Sequence, residues 1–338
     1  TDLSGTIKTD EYYAALREWK KTPGLPQSFV WFDRWNGVSP AGSSSLSGLP
    51  DSVTIASNWG GHPKFNLSPE RKADMEYVQR VKGTKVVLTL FSEYCGADVE
   101  GSPSSENPDP IYNIGNSSDP AVIGPALRKY AEAIYDATVA AGYDGFDWDY
   151  EPSGGGASSY GKALWTNKAQ RKLFIEELSY WFGAGATEPG RDRGDRKPAI
   201  PGLLFIVDGE IGTGGRMDKD WLSYYIDYFV LQTYGGMSNS SVKGVLTDMS
   251  EHIAAGRITG EEVIRRTIAT ENFEKYANTG GGFLNMSKFV YKQDGYDQQL
   301  GGCGIYRVGF DYQSKAGQEE FQGSKEYWFL RNGIANMY

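Results

Sequence analysis

Three carboxylic acids, Asp147, Asp149 and Glu151, are spaced two residues apart in one short run of the chain. In a β-strand, residues two apart face the same side, so the acids form one row and the aromatic residues between them face the other side. Three ionised acids packed side by side are costly, so at least one shared proton and one raised pKa are expected. A carboxyl group that stays protonated near neutral pH is what a general acid requires. The row therefore predicts acid catalysis.

Two other interpretations of the acid row are less favourable. A calcium loop also spaces its acids in this way, but the run lacks the glycine and the distal bidentate glutamate of an EF-hand. A solvated edge strand would expose the acids, but it would also expose Phe146, Trp148 and Tyr150, which alternate with them. We therefore favour a strand whose acids face the interior of a fold.

The chain is acidic, which limits its partners. Its 338 residues carry 34 Lys and Arg against 43 Asp and Glu, and the net charge of −9 repels nucleic acid and anionic lipid alike. No stretch reaches the roughly 20 apolar residues of a membrane span. The polar start at Thr1, without Met, is typical of a boundary behind an export signal or lipoprotein tether, and a cloning boundary would look the same. We expect a secreted, periplasmic or cell-surface protein that is monomeric.

Histidine and cysteine are scarce. His62 and His252 are the only histidines and lie far apart in sequence. The chain therefore has few candidate ligands for a catalytic metal and few candidate histidines for a Ser-His-Asp triad. We expect no metal and no organic cofactor. Cys95 and Cys303 fall near the ends of the predicted third and eighth strands, which are not neighbours in a barrel, so we expect both to remain thiols.

The chain alternates short apolar runs with stretches of helical spacing, which indicates a parallel sheet. Eight runs are predicted as strands: Ser28–Phe32, Ser52–Ser57, Lys85–Phe91, Gly145–Glu151, Gly202–Val207, Tyr228–Tyr234, Ile264–Ala269 and Gly302–Val308. Helices are predicted from Ser68 to Gly83 and from Pro125 to Ala141, and weaker ones at Asn167–Phe182, Trp221–Ile226, Glu261–Ile264 and Gln318–Ile334. Eight strands without a dividing linker predict an α/β fold, a single (β/α)8 barrel over residues 1–338, with residues 1–25 as an N-terminal extension and first helix.

The run from Asp144 to Glu151 resembles the signature Asp-Gly-x-Asp-x-Asp-x-Glu of glycoside hydrolase family 18, the chitinases and endo-β-N-acetylglucosaminidases. It matches at every defined position and falls on the fourth predicted strand, where the family carries it. The resemblance implies that Glu151 protonates the glycosidic oxygen and that Asp149 orients the 2-acetamido group of the substrate, which attacks the anomeric carbon. Asp147 would share the proton of Asp149, and Asp144 and Gly145 would be structural. No enzyme nucleophile is then needed, and configuration is retained.

A second likeness lies on the sixth predicted strand, where Gln232 and Tyr234 face one side. By resemblance, the Tyr234 hydroxyl holds the acetamido carbonyl and Gln232 assists. The alternative is a buried strand with two locally satisfied polar residues. Further candidate sugar contacts near strand ends are Trp31, Trp59, Phe91, Asp208 and Tyr306, although each could equally belong to the core.

Departures from the family pattern bear on the substrate. The third strand ends Leu90-Phe91-Ser92 rather than in Ser-x-Gly-Gly, and the eighth strand offers Tyr306 where chitinases usually place a Trp. The roughly 30 residues between the seventh and eighth strands are too few for the inserted domain of many chitinases. The N-terminal part of the sequence is also similar to glycosidases of gut Bacteroidetes. Together these features favour an endo-β-N-acetylglucosaminidase acting on N-glycans or glycoproteins. A chitinase and a non-hydrolytic glycan-binding lectin are the alternatives, and lectin-like members usually lack the glutamate present at Glu151.

Overall fold

The protein was examined as a computed structural model. It describes residues 8–37, 43–60, 65–91, 99, 114–153, 162–213, 221–312 and 326–338. His62 and Cys95 lie outside these residues, and for Phe91 only the backbone is described. No helix within these ranges combines the length and the apolarity needed to cross a membrane.

The strands form the barrel that the sequence predicted. Within the described residues the strands are β1 (Gln27–Phe32), β2 (Ile55–Asn58), β3 (Lys85–Phe91), β4 (Gly145–Tyr150), β5 (Leu204–Gly209), β6 (Tyr228–Leu231), β7 (Thr267–Asn272), β8 (Val290–Tyr291), β9 (Gln298–Gln299) and β10 (Gly302–Tyr306). Eight of them close into a barrel in the order β1-β10-β7-β6-β5-β4-β3-β2, and β8 and β9 form a separate antiparallel pair. The fold is an α/β barrel with flanking helices.

Several helices begin at residues whose side chains cap the first turn. They are α1 (Asp10–Lys20), α2 (Pro69–Tyr77), α3 (Pro120–Ala141), α4 (Lys162–Thr166), α5 (Lys168–Leu178), α6 (Asn239–Asp248), α7 (Ser250–Ala254), α8 (Gly260–Arg265), α9 (Phe273–Tyr276), α10 (Phe283–Met286) and α11 (Trp328–Met337). Ser68 caps α2 by accepting from the Arg71 N–H, and a π-helical turn then continues the chain to Gly83, whose φ is +69°. Such a left-handed residue after a helix favours glycine.

The described residues group into two compact units. The first comprises Thr1–Val87, Leu231–Val242 and Ile264–Tyr338, and the second Leu88–Val230 and Lys243–Val263. In the first unit β1 pairs in parallel with β2 and β10, and β10 pairs with β7. In the second unit β4 pairs in parallel with β5 and with the later part of β3.

Several predicted boundaries are wrong. No helix forms at Trp221–Ile226. Trp221 and Ile226 are both buried, but the segment that joins them is irregular and too short for a stable helix. The sixth strand ends at Leu231, since the Thr233 N–H turns back to the Leu231 carbonyl. The seventh strand begins at Thr267, because the apolar residues at Val263 and Ile264 belong to α8.

Cys303 is a buried free thiol near the start of β10. Its Sγ lies 3.6 Å from the Met337 Sδ, and burial raises the pKa of the thiol. The prediction of an unpaired thiol is therefore confirmed for Cys303.

Candidate active site

The acid row occupies β4 and rises toward the carboxyl end of that strand. Asp147 is fully buried and Asp149 is 2% exposed, whereas Glu151, just beyond the strand, is half-buried. Barrels of this type place their active sites at the carboxyl ends of the strands. Of the three acids, Glu151 is therefore the one that a substrate can reach with least rearrangement.

A fourth acid, Asp208, joins the row from the neighbouring strand. The β4–β5 register places Asp208 opposite Asp149, and its side chain is fully buried. Burial raises the pKa of Asp208 well above its ordinary value, the charges of Asp147 and Asp149 raise it further, and a hydrogen bond joins its carboxyl to Asp147. A hydrogen bond between two carboxyls needs one proton, so the Asp147–Asp208 pair keeps a proton where two exposed aspartates would have lost both. The sequence predicted a raised pKa within the row of acids, and the structure adds Asp208, an acid with a raised pKa on the adjacent strand.

The sequence predicted Asp208 as a sugar contact. In the structure its side chain is fully buried, and its hydrogen bond is to Asp147.

Two further residues hold the row in place, and neither was predicted from the sequence. The Thr89 hydroxyl on β3 donates to Oδ2 of Asp147 at 3.0 Å. The indole Nε1 of Trp165 in α4 donates to the main-chain carbonyl of Asp149 at 2.9 Å. Thr89 could have been found by noting its inward position in β3, but the contact of Trp165 depends on tertiary packing that no local pattern reports.

The opposite face of β4 packs as the alternation predicted. The Trp148 ring lies 5.3 Å, centroid to centroid, from Phe174 of α5, and the Tyr150 ring lies 4.5 Å from Trp221. Arg171 lies behind these rings, with its guanidinium carbon 5.1 Å from the Trp221 ring centroid. Large buried rings on one face hold β4 in register, and this register is what keeps all three acids on the other face.

The first two residues of the signature serve the backbone. The main-chain carbonyl of Asp144 accepts from the Leu204 N–H at 2.8 Å, which aligns β4 with β5. A Cβ at Gly145 would clash with the Leu204 backbone, so only glycine permits this close approach. The structural role that the resemblance implies for the Asp144 side chain stays a prediction.

Four of the aromatic candidates lie together in the first unit. Tyr306 lies at the end of β10. Its ring centroid is 4.9 Å from that of Trp59, 5.9 Å from that of Tyr234 and 6.0 Å from that of Trp31. The Tyr234 and Tyr306 rings are inclined by 27°, close to stacked. Trp31 is buried beneath Tyr306, whereas Trp59, Tyr234 and Tyr306 are half-buried. Half-buried rings of this kind provide flat surfaces on which sugar faces can stack.

Gln232 and Tyr234 lie beyond β6, in the turn that follows it, rather than on the strand itself. Both are half-buried. Their orientation is therefore set by hydrogen bonds of the turn and not by the alternation of a strand.

An ion network follows Tyr306 directly and was not anticipated from the sequence. Arg307 has a φ of +55°, and its guanidinium donates to Asp33 at 2.8 Å and to Glu274 at 3.0 Å. Left-handed backbone at a non-glycine residue is uncommon and needs such support. The network fixes the backbone immediately after Tyr306.

Comparisons with known proteins identify the family of the chain. The sequence profile of "Glycoside hydrolase family 18, BT1044-like" matches residues 4–334. No curated protein sequence is significantly similar to the chain.

Solved structures share the fold at low identity. A glutamate-to-glutamine variant of BT1044 superposes with a TM-score of 0.66 at 24% identity, covering 100% of this chain and 95% of that one. The apo endo-β-N-acetylglucosaminidase of Cordyceps militaris gives 0.62 at 17% identity, with coverages of 98% and 97%. A chitinase from Bacteroides thetaiotaomicron gives 0.50 at 13% identity, with coverages of 93% and 96%. The profile match over nearly the whole chain, together with the acid row on the fourth strand of the barrel, shows that this chain belongs to glycoside hydrolase family 18, in its BT1044-like group.

Proposed function

We propose that the protein is an endo-β-N-acetylglucosaminidase that hydrolyses the β-1,4 bond between the two core N-acetylglucosamine residues of N-glycans. The observation that carries this proposal is the acid row, which passes from buried Asp147 through Asp149 to half-buried Glu151 at the open end of β4. Glu151 is positioned to be protonated when a substrate arrives, because the buried acids behind it disfavour a further negative charge. In this proposal Glu151 gives its proton to the departing sugar oxygen.

The other acids orient the substrate's own nucleophile. Asp149 accepts a hydrogen bond from the acetamido N–H, so that the acetamido carbonyl oxygen attacks the anomeric carbon as the glycosidic bond breaks. A cyclic oxazolinium intermediate forms, and water opens it with Glu151 acting as the base, which retains the configuration. Asp147 stabilises Asp149 from behind, and the proton on Asp208 keeps charge from accumulating there.

Tyr234 and Gln232 are proposed to complete the site. The Tyr234 hydroxyl donates a hydrogen bond to the acetamido carbonyl oxygen while that oxygen attacks the anomeric carbon. Gln232, in the same turn, helps to hold the acetamido group. Trp59 and Tyr306 are proposed to stack on sugar rings, with Trp31 supporting Tyr306 from below. The backbone position of Phe91, opposite Asp149 in the β3–β4 register, is consistent with a further contact near the reacting sugar.

An N-glycan is favoured over chitin by two features of the first unit. Residues 273–301, between β7 and β10, form only α9, α10 and the β8–β9 pair, which is too little chain for a domain that walls a deep groove. Tyr306 presents a smaller ring than a tryptophan at the end of β10. A shallow groove admits a branched glycan more readily than a deep one does.

The assignment is tested by identifying the products. The protein is incubated separately with a high-mannose glycoprotein, a complex-type glycoprotein and chitin oligomers, and the products are weighed by mass spectrometry. We expect a released glycan with one N-acetylglucosamine at its reducing end and a protein that keeps the other. Soluble chitin dimers without glycan release would instead make the protein a chitinase. Glycan binding without any cleavage would make it a lectin.

A further inference from the structure

Glu271, near the end of β7, is a fully buried carboxylate that neither the sequence motifs nor the acid row accounts for. Its Oε1 accepts from the Gly235 N–H at 2.9 Å and from the Asn272 N–H at 2.8 Å, and its Oε2 accepts from the Gly282 N–H at 2.7 Å. Three backbone N–H groups compensate a buried carboxylate well. The side chain thereby ties together three separate segments of the backbone.

One of these segments is the turn that carries Tyr234. The neighbouring strand β7 holds this turn on both sides of the tyrosine: the Thr233 hydroxyl donates to the Thr270 carbonyl at 3.3 Å, and the Gly235 N–H donates to Glu271. The Thr270 hydroxyl also donates to the Leu231 carbonyl at 2.7 Å, where the turn begins. Tyr234 therefore has a fixed residue before it and a fixed residue after it.

We propose that Glu271 is a positioning residue, which orients the Tyr234 hydroxyl toward the reacting sugar by fixing the backbone N–H of Gly235. The inference rests on the function proposed above, in which Tyr234 holds the acetamido carbonyl. Glu271 itself touches no substrate, because its side chain is fully buried. Its effect on the reaction passes through the position of a hydroxyl, and displacements of about 1 Å at such a group cost up to about 10²-fold in rate.

Two substitutions separate the hydrogen bonds from the volume of the side chain. Glu271→Met keeps a similar length but accepts no backbone hydrogen bond, so the turn is released. Glu271→Gln can direct its carbonyl oxygen to Gly235 and Asn272, where two donors outweigh the single donor of Gly282, so it retains the anchor of the turn. We expect Glu271→Met to lower kcat by about tenfold to a hundredfold with little change in KM, and Glu271→Gln to restore most of the loss.

A double-mutant cycle distinguishes positioning from general destabilisation. In the Tyr234→Phe background there is no hydroxyl to position, so Glu271→Met is expected to lower kcat by less than about threefold there. The matched control is Asp74→Leu. The buried Asp74 carboxylate accepts hydrogen bonds from the Trp35 indole and from the Leu46 and Ser47 N–H groups, and the substitution removes all three. Asp74→Leu is expected to change kcat by the same factor in both backgrounds.

The outcomes separate this inference from the proposed function. An equal loss of kcat from Glu271→Met in both backgrounds would overturn the positioning role and leave that of Tyr234 intact. Full activity of Tyr234→Phe alone would instead overturn the role of Tyr234 in the proposed function. If Glu271→Met does not fold, Glu271→Asp serves in the same cycle, because it withdraws the carboxylate by about one carbon–carbon bond, roughly 1.5 Å.

A measurement without turnover tests the anchor directly. Hydrogen exchange of the peptide that covers residues 231–236 is expected to be at least about tenfold faster in Glu271→Met than in the unchanged protein, while the peptide that covers β1 is unaffected. Unchanged protection of the 231–236 peptide would overturn the inference even if the protein proves to have no glycosidase activity.

Discussion

Asp208 and Glu271 are both fully buried acids at the carboxyl ends of barrel strands, yet their surroundings are opposite. Burial raises the pKa of Asp208, and the carboxyl groups around it raise the pKa further and leave a proton within the cluster. Glu271 lies among backbone N–H groups, which hold its oxygens in one place. The difference shows how a buried acid can serve either proton chemistry or geometry, according to whether its neighbours are acids or donors.

The largest effect is expected where the cluster of acids meets the substrate. Glu151→Gln removes the transferable proton but keeps the size and polarity of the side chain. We expect kcat to fall by about 10² to 10⁴-fold while glycan binding is kept, because general acid catalysis has this magnitude. Turnover of a natural glycoprotein and calorimetric binding of the same glycan check the two parts. Unchanged turnover would remove Glu151 from the mechanism and end the assignment of chemistry to the acid row.

The next effect is expected one step deeper in the row. Asp149→Asn preserves the shape but replaces an acceptor oxygen that the acetamido N–H needs. We expect kcat to fall by about 10²-fold or more, the usual cost of losing an electrostatic partner in a buried site. Supplying the sugar as a preformed oxazoline bypasses the step that needs Asp149, so the variant should still consume that compound. A variant that hydrolyses glycans at full speed would exclude the substrate-assisted route.

A smaller and pH-dependent effect is expected at Asp208. Asp208→Asn imitates the protonated acid, so we expect kcat near neutral pH to change by less than about tenfold. The pKa of Asp208 is raised on folding, so its contribution to stability is fully present below the ordinary aspartate pKa and is lost as pH rises through the folded value. The Tm of the unchanged protein should therefore fall relative to the Tm of Asp208→Asn as the pH rises above the ordinary aspartate pKa of about 4. A constant difference would mean that Asp208 does not keep its proton.

The smallest effect is expected at Cys303, a buried titratable group whose thiol contacts the Met337 sulfur. Burial raises the pKa of its thiol, which disfavours the reactive thiolate. We expect Cys303→Ala to leave kcat unchanged within about twofold, with a loss of stability of about 1 kcal/mol from the missing contact with Met337. Rapid alkylation of Cys303 in the folded protein, measured by mass spectrometry, would contradict this account.

The sequence predicted the parts of the molecule that depend on local patterns. The row of acids on β4 was placed correctly because alternation has a period of two and the intervening rings are strongly apolar. The helix after Ser68 was placed correctly because its cap, first-turn proline and terminal Gly83 are all local signals. In each case the physical cause lies within about ten residues of the feature itself.

The sequence did not predict features that depend on which strands become neighbours. The burial of Asp208 against the acid row is one such feature, because only the β4–β5 register brings it there. Glu271 carries no motif, and its three donors come from segments up to 36 residues away. Tyr234 was assigned to a strand because the apolar run continues to Leu231, and the backbone turn that follows is fixed by contacts from β7.

The anomeric configuration of the first product tests the central claim most directly. The released glycan is followed by proton NMR within the first minutes of reaction, before its reducing end equilibrates. The substrate-assisted mechanism predicts the β anomer, because attack by the acetamido oxygen and then by water inverts the centre twice. An initial α anomer would show a single displacement by water and would contradict the account of Asp149, Glu151 and Tyr234 given above.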